Sequence, residues 1–110
     1  MRTLSIAALC LTAALPALAQ TPPAASVQPG RLGLCAGCHG VTGHASMPGV
    51  PNLAGQPLDY LRNALGQYRD GRRAVPLMRA AIGPLGDADL DALARWYSAQ
   101  SPQSQLQAQP

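Results

Sequence analysis

An all-α domain is predicted, on three observations. Apolar residues recur at helical spacing in two stretches, no stretch alternates long enough for a strand, and Gly- and Pro-rich connections separate the helical parts. A first, short helix is expected over residues 30–36, leading into Cys35 and Cys38. A second is expected over residues 58–70, starting after Pro57, with Leu58, Leu61, Leu65 and Tyr68 on one stripe, Arg62 and Arg69 on the other face, and Gly71 as its stop. A third runs over residues 87–100, where Asp87 and Asp89 suit the positive end of the helix dipole and Leu90, Leu93, Ala94 and Tyr97 form the apolar stripe. Ser101 and Pro102 stop it. Residues 40–55 and 71–86 then read as loops, and loops that long in a small domain need a reason, such as wrapping a cofactor.

The two ends look different from the middle. Met1 and Arg2 lead into an uncharged apolar stretch, residues 4–15, followed by Pro16 and Ala17-Leu18-Ala19. That is the pattern of a secretory signal with a small-x-small cleavage site, so residues 1–19 are read as a leader and Gln20 as the expected mature start. The run is shorter than the roughly 20 residues of a membrane span, and no transmembrane segment is expected in the mature chain. Cys10 lies inside the leader and goes with it. Residues 20–28 and 101–110, rich in Pro and Gln, are expected to be disordered, leaving residues 29–100 as the domain. The net charge is +3, and losing Arg2 leaves seven Arg against five Asp, too mild a balance to argue for nucleic acid. With no Phe, one Trp and three Tyr, a domain this small is thinly supplied with core aromatics, and a large flat apolar cofactor would supply buried area that the side chains do not.

Cys35-Ala36-Gly37-Cys38-His39 is the attachment signature for c-type haem. Two intervening residues set the sulfurs at the separation of the two porphyrin vinyl groups, and the adjacent imidazole reaches the iron. Three other readings compete. A Cys35–Cys38 disulfide suits an oxidising compartment. A thioredoxin-like redox pair wants a βαβ context that this chain lacks. Zinc would need four ligands, for which Cys35, Cys38, His39 and His44 are the nearby candidates, with no second ligand pair.

The match extends past the motif. With CAGCHG at 35–40, PNLAGQ at 51–56, the helix pattern at 58–73 and MRAAIGPLGDADLDALARWY at 78–97, residues 30–100 resemble the class I mono-haem cytochromes c, and most closely one half of the periplasmic di-haem cytochromes c. The resemblance implies a small cytochrome c fold, three main helices and loops wrapped around covalent haem, with one haem per chain because one attachment motif is present. The sixth iron ligand would come from His44, Met47 or Met78. His44 and Met47 follow His39 too closely to swing round to the other face of the ring, whereas Met78, in the segment after the long helix, can approach from the far side, where the family pattern also places its thioether. His39 and Met78 are therefore the expected metal ligands. His/Met ligation raises the reduction potential relative to a second imidazole, which suits the oxidising end of a respiratory chain.

The resemblance further implies that the Pro51 carbonyl accepts the His39 ring proton. Leu53, Tyr60, Leu61, Leu65 and Ile82 are the candidates for packing on the haem. Trp96 or Tyr97 would pack on the first helix, with Gly30 and Gly33 permitting close approach, and Arg72 or Arg73 could pair with a propionate. The function implied is a periplasmic electron carrier with no catalytic residue. Its partners would be redox proteins: a respiratory oxidase, a reductase or a periplasmic dehydrogenase. One alternative is a cytochrome subunit of a dehydrogenase or sulfur-compound oxidase. A haem peroxidase or sensor would need an open sixth site and a distal acid-base group, for which only His44 is at hand. The resemblance places the open haem edge beside Ala36-Gly37, residues 45–50 and residues 80–83, with Arg79, next to the last stretch, the only charge there.

Overall fold

In a computed structural model the structure describes residues 27–102. The leader, most of the expected lead and residues 103–110 of the expected tail lie outside the described residues. Among the described residues there are four helices and no strand: α1 (Gly33–His39), α2 (Leu58–Asp70), α3 (Pro76–Ile82) and α4 (Asp87–Ser98). No described helix is long and apolar enough to cross a membrane.

Three of these are the helices expected, with one shift and one addition. The first helix lies three residues later than expected, running to His39 with Gly40 as its C-cap, so Cys38 and His39 are on it together with Cys35. The addition is α3, inside a segment read as loop. Pro76 is its first helical residue, where the missing N–H costs nothing and the fixed φ is already helical. A proline in a segment read as loop here starts a helix. Only Ile82 of the seven residues is buried, so no apolar stripe announces the helix.

The core is where α2 and α4 meet. Leu61 from α2 and Leu90, Leu93, Ala94 and Tyr97 from α4 pack with Leu32, Ile82 and Leu85. Leu85 comes just before the N-cap Gly86 of α4, and Leu90 is four residues inside; both are buried in one cluster, a hydrophobic staple that fixes how the chain enters the helix. The Asp89 carboxylate accepts from the Gly86 N–H at 3.4 Å and satisfies one of the free donors of that terminus. On the solvent side the same two helices are laced by charge. Arg62 bonds Asp91 at 2.6 Å, Asp91 also accepts from Arg95 at 2.7 Å, and Arg69 reaches both Asp87 and, at 2.7 Å, the Leu85 carbonyl. At α2's far end Gly71 takes the left-handed conformation (φ 84°) and turns the chain back.

The long segment after α1 is tied to α4. The Tyr97 hydroxyl donates to the Gly40 carbonyl at 2.9 Å, the Trp96 ring N–H donates to the Val41 carbonyl at 2.7 Å, and the Gly55 N–H donates to the Tyr97 carbonyl at 3.0 Å. The segment crosses itself at Gly43, whose carbonyl accepts from Leu53 and Ala54 at 2.8 and 3.1 Å. This corrects the expectation for Gly30 and Gly33, where a Cβ would meet nothing within 4 Å. The glycine that Tyr97 requires is Gly43: its φ is +82°, and a Cβ there would lie 2.5 Å from the Ala54 nitrogen and 2.9 Å from a Tyr97 ring carbon.

Candidate haem site

A cavity of about 400 Å³ lies between α1, the residue 49–56 segment, α2 and α3. All ten residues singled out from sequence as haem-binding line it: Cys35, Cys38 and His39 from α1, Pro51 and Leu53 from the loop, Tyr60, Leu61 and Leu65 from α2, and Met78 and Ile82 from α3. Met47 and His44 are not in its wall. His44 turns its Nδ1 to the Thr42 hydroxyl at 3.0 Å, and its other ring nitrogen is buried with no protein partner.

Each of the candidate ligand side chains is placed by a local cause. Being helical, residues 35–39 put the Cys35 and Cys38 side chains three apart on one face, with His39 one further round. His39 is buried and its Nδ1 donates to the Pro51 carbonyl at 2.9 Å. That bond fixes the ring plane and the tautomer, leaving Nε2 as the nitrogen with a free lone pair. Met78 stands in the first turn of α3, set there by Pro76. Cys35 and Cys38 are both free thiols in this structure, and burial pushes the Cys35 thiol up from its ordinary value. Among the described residues no three of His, Cys, Asp and Glu converge where they could hold a metal ion by themselves, which leaves zinc without a site. Burial, and secondarily the charge of Cys35, keeps the Tyr97 hydroxyl a donor far above the ordinary phenol range.

Sequence reasoning missed part of the wall. Leu34, Gln56, Ala64, Tyr68, Val75 and Leu77 also line the cavity. Leu34, Val75 and Leu77 are exposed apolar residues at its edge, Leu77 at 71 %. The missing signal for Val75 and Leu77 was α3 itself, since without the helix they read as loop surface. Ile82, counted in sequence among the residues beside the open edge, is 1 % exposed and belongs to the core. Of the paired arginines, Arg72 is held by Asp70 at 2.7 Å, whereas Arg73 lines the cavity.

These residues fit a haem. Two thiols and an imidazole with one nitrogen already occupied face an apolar cavity that also holds a thioether, and the wall carries no carboxylate. Fold and site together define a c-type cytochrome domain.

Comparison with known proteins agrees. Residues 33–96 match the family described as cytochrome c oxidase, cbb3-type, subunit III, and the chain belongs to that family of cytochrome c domains, whose haem is covalently held. The chain is 33 % identical over 95 residues to cytochrome c4 of Pseudomonas aeruginosa, covering 86 % of this chain and 47 % of that protein. It is 32 % identical over 104 residues to cytochrome c4 of Stutzerimonas stutzeri, covering 86 % and 50 %. A protein of Thiomonas intermedia named thiosulfate dehydrogenase electron acceptor is 37 % identical over 92 residues, covering 82 % and 42 %. The chain spans about half the length of these relatives.

Proposed function

We propose that this chain is an exported, periplasmic one-electron carrier with a single haem c, attached through Cys35 and Cys38 and ligated by His39 and Met78. The observation that carries the reading is the convergence of the attachment motif, an imidazole already oriented by Pro51 and a thioether from a separate helix on one apolar cavity. Bound haem supplies a ferric/ferrous couple. The Pro51 carbonyl, by holding the Nδ1 proton, keeps His39 in one orientation and raises the basicity of Nε2. The Met78 thioether favours the reduced metal more than a second imidazole would. Leu53, Leu61, Leu65 and Ile82 exclude water, so little polar reorganisation accompanies a change of charge. With residues assigned to both axial positions the reading needs no catalytic group, and it suits a respiratory chain.

A second reading concerns the partner. Two relatives are named thiosulfate dehydrogenase electron acceptor, the second, from Stutzerimonas stutzeri, 38 % identical over 61 residues. They favour a dehydrogenase acting on a sulfur compound as electron donor over a respiratory reductase, with the same chemistry at the haem. The test of the main reading is to express the chain with export and haem-attachment machinery and extract it with acidified organic solvent. Haem should stay with the polypeptide at one per chain; its release into the solvent would refute covalent attachment. Mixing the ferric protein with candidate dehydrogenases and their substrates then shows which one reduces it.

A further inference from the structure

Among the arginines, Arg73 is the one in the wall of the cavity, and no aspartate lines that wall. Its backbone is pinned just beyond α2: past the left-handed turn at Gly71, the Arg73 N–H donates to the Gln67 carbonyl at 3.0 Å, and its own carbonyl accepts from Val75 at 3.1 Å. The guanidinium lies over two rings of α2, 5.8 Å from the centre of Tyr60 and 5.3 Å from that of Tyr68. The arginines around it are differently occupied. Arg72 is bonded to Asp70 through Nε at 2.8 Å and through Nη2 at 2.7 Å, while Arg62, Arg69 and Arg95 are paired with aspartates of α4. Among the described residues Arg73 has no carboxylate partner, although it is half-buried against an apolar cavity.

A cation beside an apolar cavity, with no carboxylate of the described residues bonded to it, is placed to receive an anion, and a haem brings two carboxylates. A guanidinium placed beside two aromatic rings is already restricted, and its fork of donors can meet a carboxylate with less loss of freedom than a free side chain would suffer. We propose that Arg73 is the positioning residue for one haem propionate and that its charge raises the reduction potential. This rests on the haem-carrier reading above. A positive charge beside the porphyrin favours the ferrous state, and it keeps the propionate ionised down to lower pH. The other titratable groups facing Arg73 or lining the cavity are Tyr60, Tyr68, Tyr97, Cys35, Cys38 and His39. In the loaded protein the cysteines would be thioethers and His39 would hold the iron, and the propionate would be the carboxylate whose ionisation the Arg73 charge shifts.

The experiment uses the haem-loaded protein, first checked for covalent haem by its absorption after denaturation. A wild-type chain without it sinks the haem reading before any variant is measured. Spectroelectrochemical titrations from mildly acidic to mildly alkaline pH then compare Arg73→Gln, Arg73→Lys and Arg72→Gln. Arg73→Gln should raise the ferric-to-ferrous ratio at a fixed poise on the order of tenfold, a fall of about 59 mV for one electron, and make the potential decline as pH rises across that range. Arg73→Lys should retain most of the wild-type value, and Arg72→Gln should change neither quantity. An Arg73→Gln protein with wild-type potential and pH profile, or a larger shift from Arg72→Gln, overturns the assignment. Should Arg73→Gln fail to load haem, Arg73→Lys decides: a near wild-type potential supports the role of the charge, and a tenfold shift refutes it.

Discussion

Gly43 and Met78 show two ways in which a single residue sets this site. Gly43 is buried, lies in the left-handed region at φ +82°, and lets the loop carrying Pro51 press against Tyr97. Gly43→Ala puts a methyl against the Ala54 backbone and forces a φ that L residues avoid, so it should destabilise the protein by about 2 kcal/mol or more, seen as a lowered thermal midpoint. Because the loop also positions the Pro51 carbonyl, the His39 orientation should loosen with it. For Met78 the outcome is spectroscopic. Met78→Ala should abolish the ferric thioether charge-transfer absorption, lower the potential and open the iron to added ligands, while Met47→Ala, outside the cavity wall and 49 % exposed, should do none of these. The reverse pattern would move the sixth ligand to the residue 45–50 loop.

Between elements, the contact that organises the molecule is α2 against α4, apolar inside and ionic outside. The Asp91 carboxyl is held below its ordinary value by its bond to Arg95 and, next, by that to Arg62. A carboxylate depressed in the folded state contributes stability above its unfolded pKa of about 3.9, and that contribution disappears as pH falls through the lower folded value. Asp91→Asn should therefore lower the thermal midpoint at neutral pH and flatten its decline on acidification, with the two proteins converging at low pH. Parallel midpoint curves would assign Asp91 no titrating role. Half-exposed as the pair is, the difference should shrink in high salt. The helix α3 has no such lacing. It is held by Ile82 in the core, begins at a proline, and places Met78 in the cavity wall.

For the molecule as a whole, charge and apolar surface are segregated. Arg62, Arg69, Arg72 and Arg95 are each paired with an aspartate, while the edge of the cavity carries exposed Leu34, Val75 and Leu77. With Arg73 given to a propionate, a partner that docks on that edge meets little unpaired charge besides Arg79. Electron transfer should then change by no more than about tenfold between low and physiological ionic strength, well inside the range that electrostatic steering spans. Leu77→Asp should slow it, since it sets a charge in an apolar contact without touching the cavity's ligands. A steep loss of rate with salt, together with indifference to Leu77→Asp and sensitivity to Arg72→Ala, would place docking on the arginine-bearing side instead.

Part of the cavity wall was legible in the sequence, because the chemistry is local: Cys35, Cys38 and His39 have the spacing of an attachment motif, and the stripes of α2 and α4 show their buried faces through periodicity. Met78 and Pro51 were legible as positions in a pattern, without the helix or the loop crossing that places them. Tertiary structure decided the rest. That Pro76 begins a helix, that Gly43 and not Gly30 or Gly33 makes room for Tyr97, and that Arg72 is taken by Asp70 while Arg73 faces the cavity all depend on which atoms lie across the fold. Spacing along the chain carries no record of such contacts. They arise only once α2 and α4 have packed and the two long connections must close over the space between them.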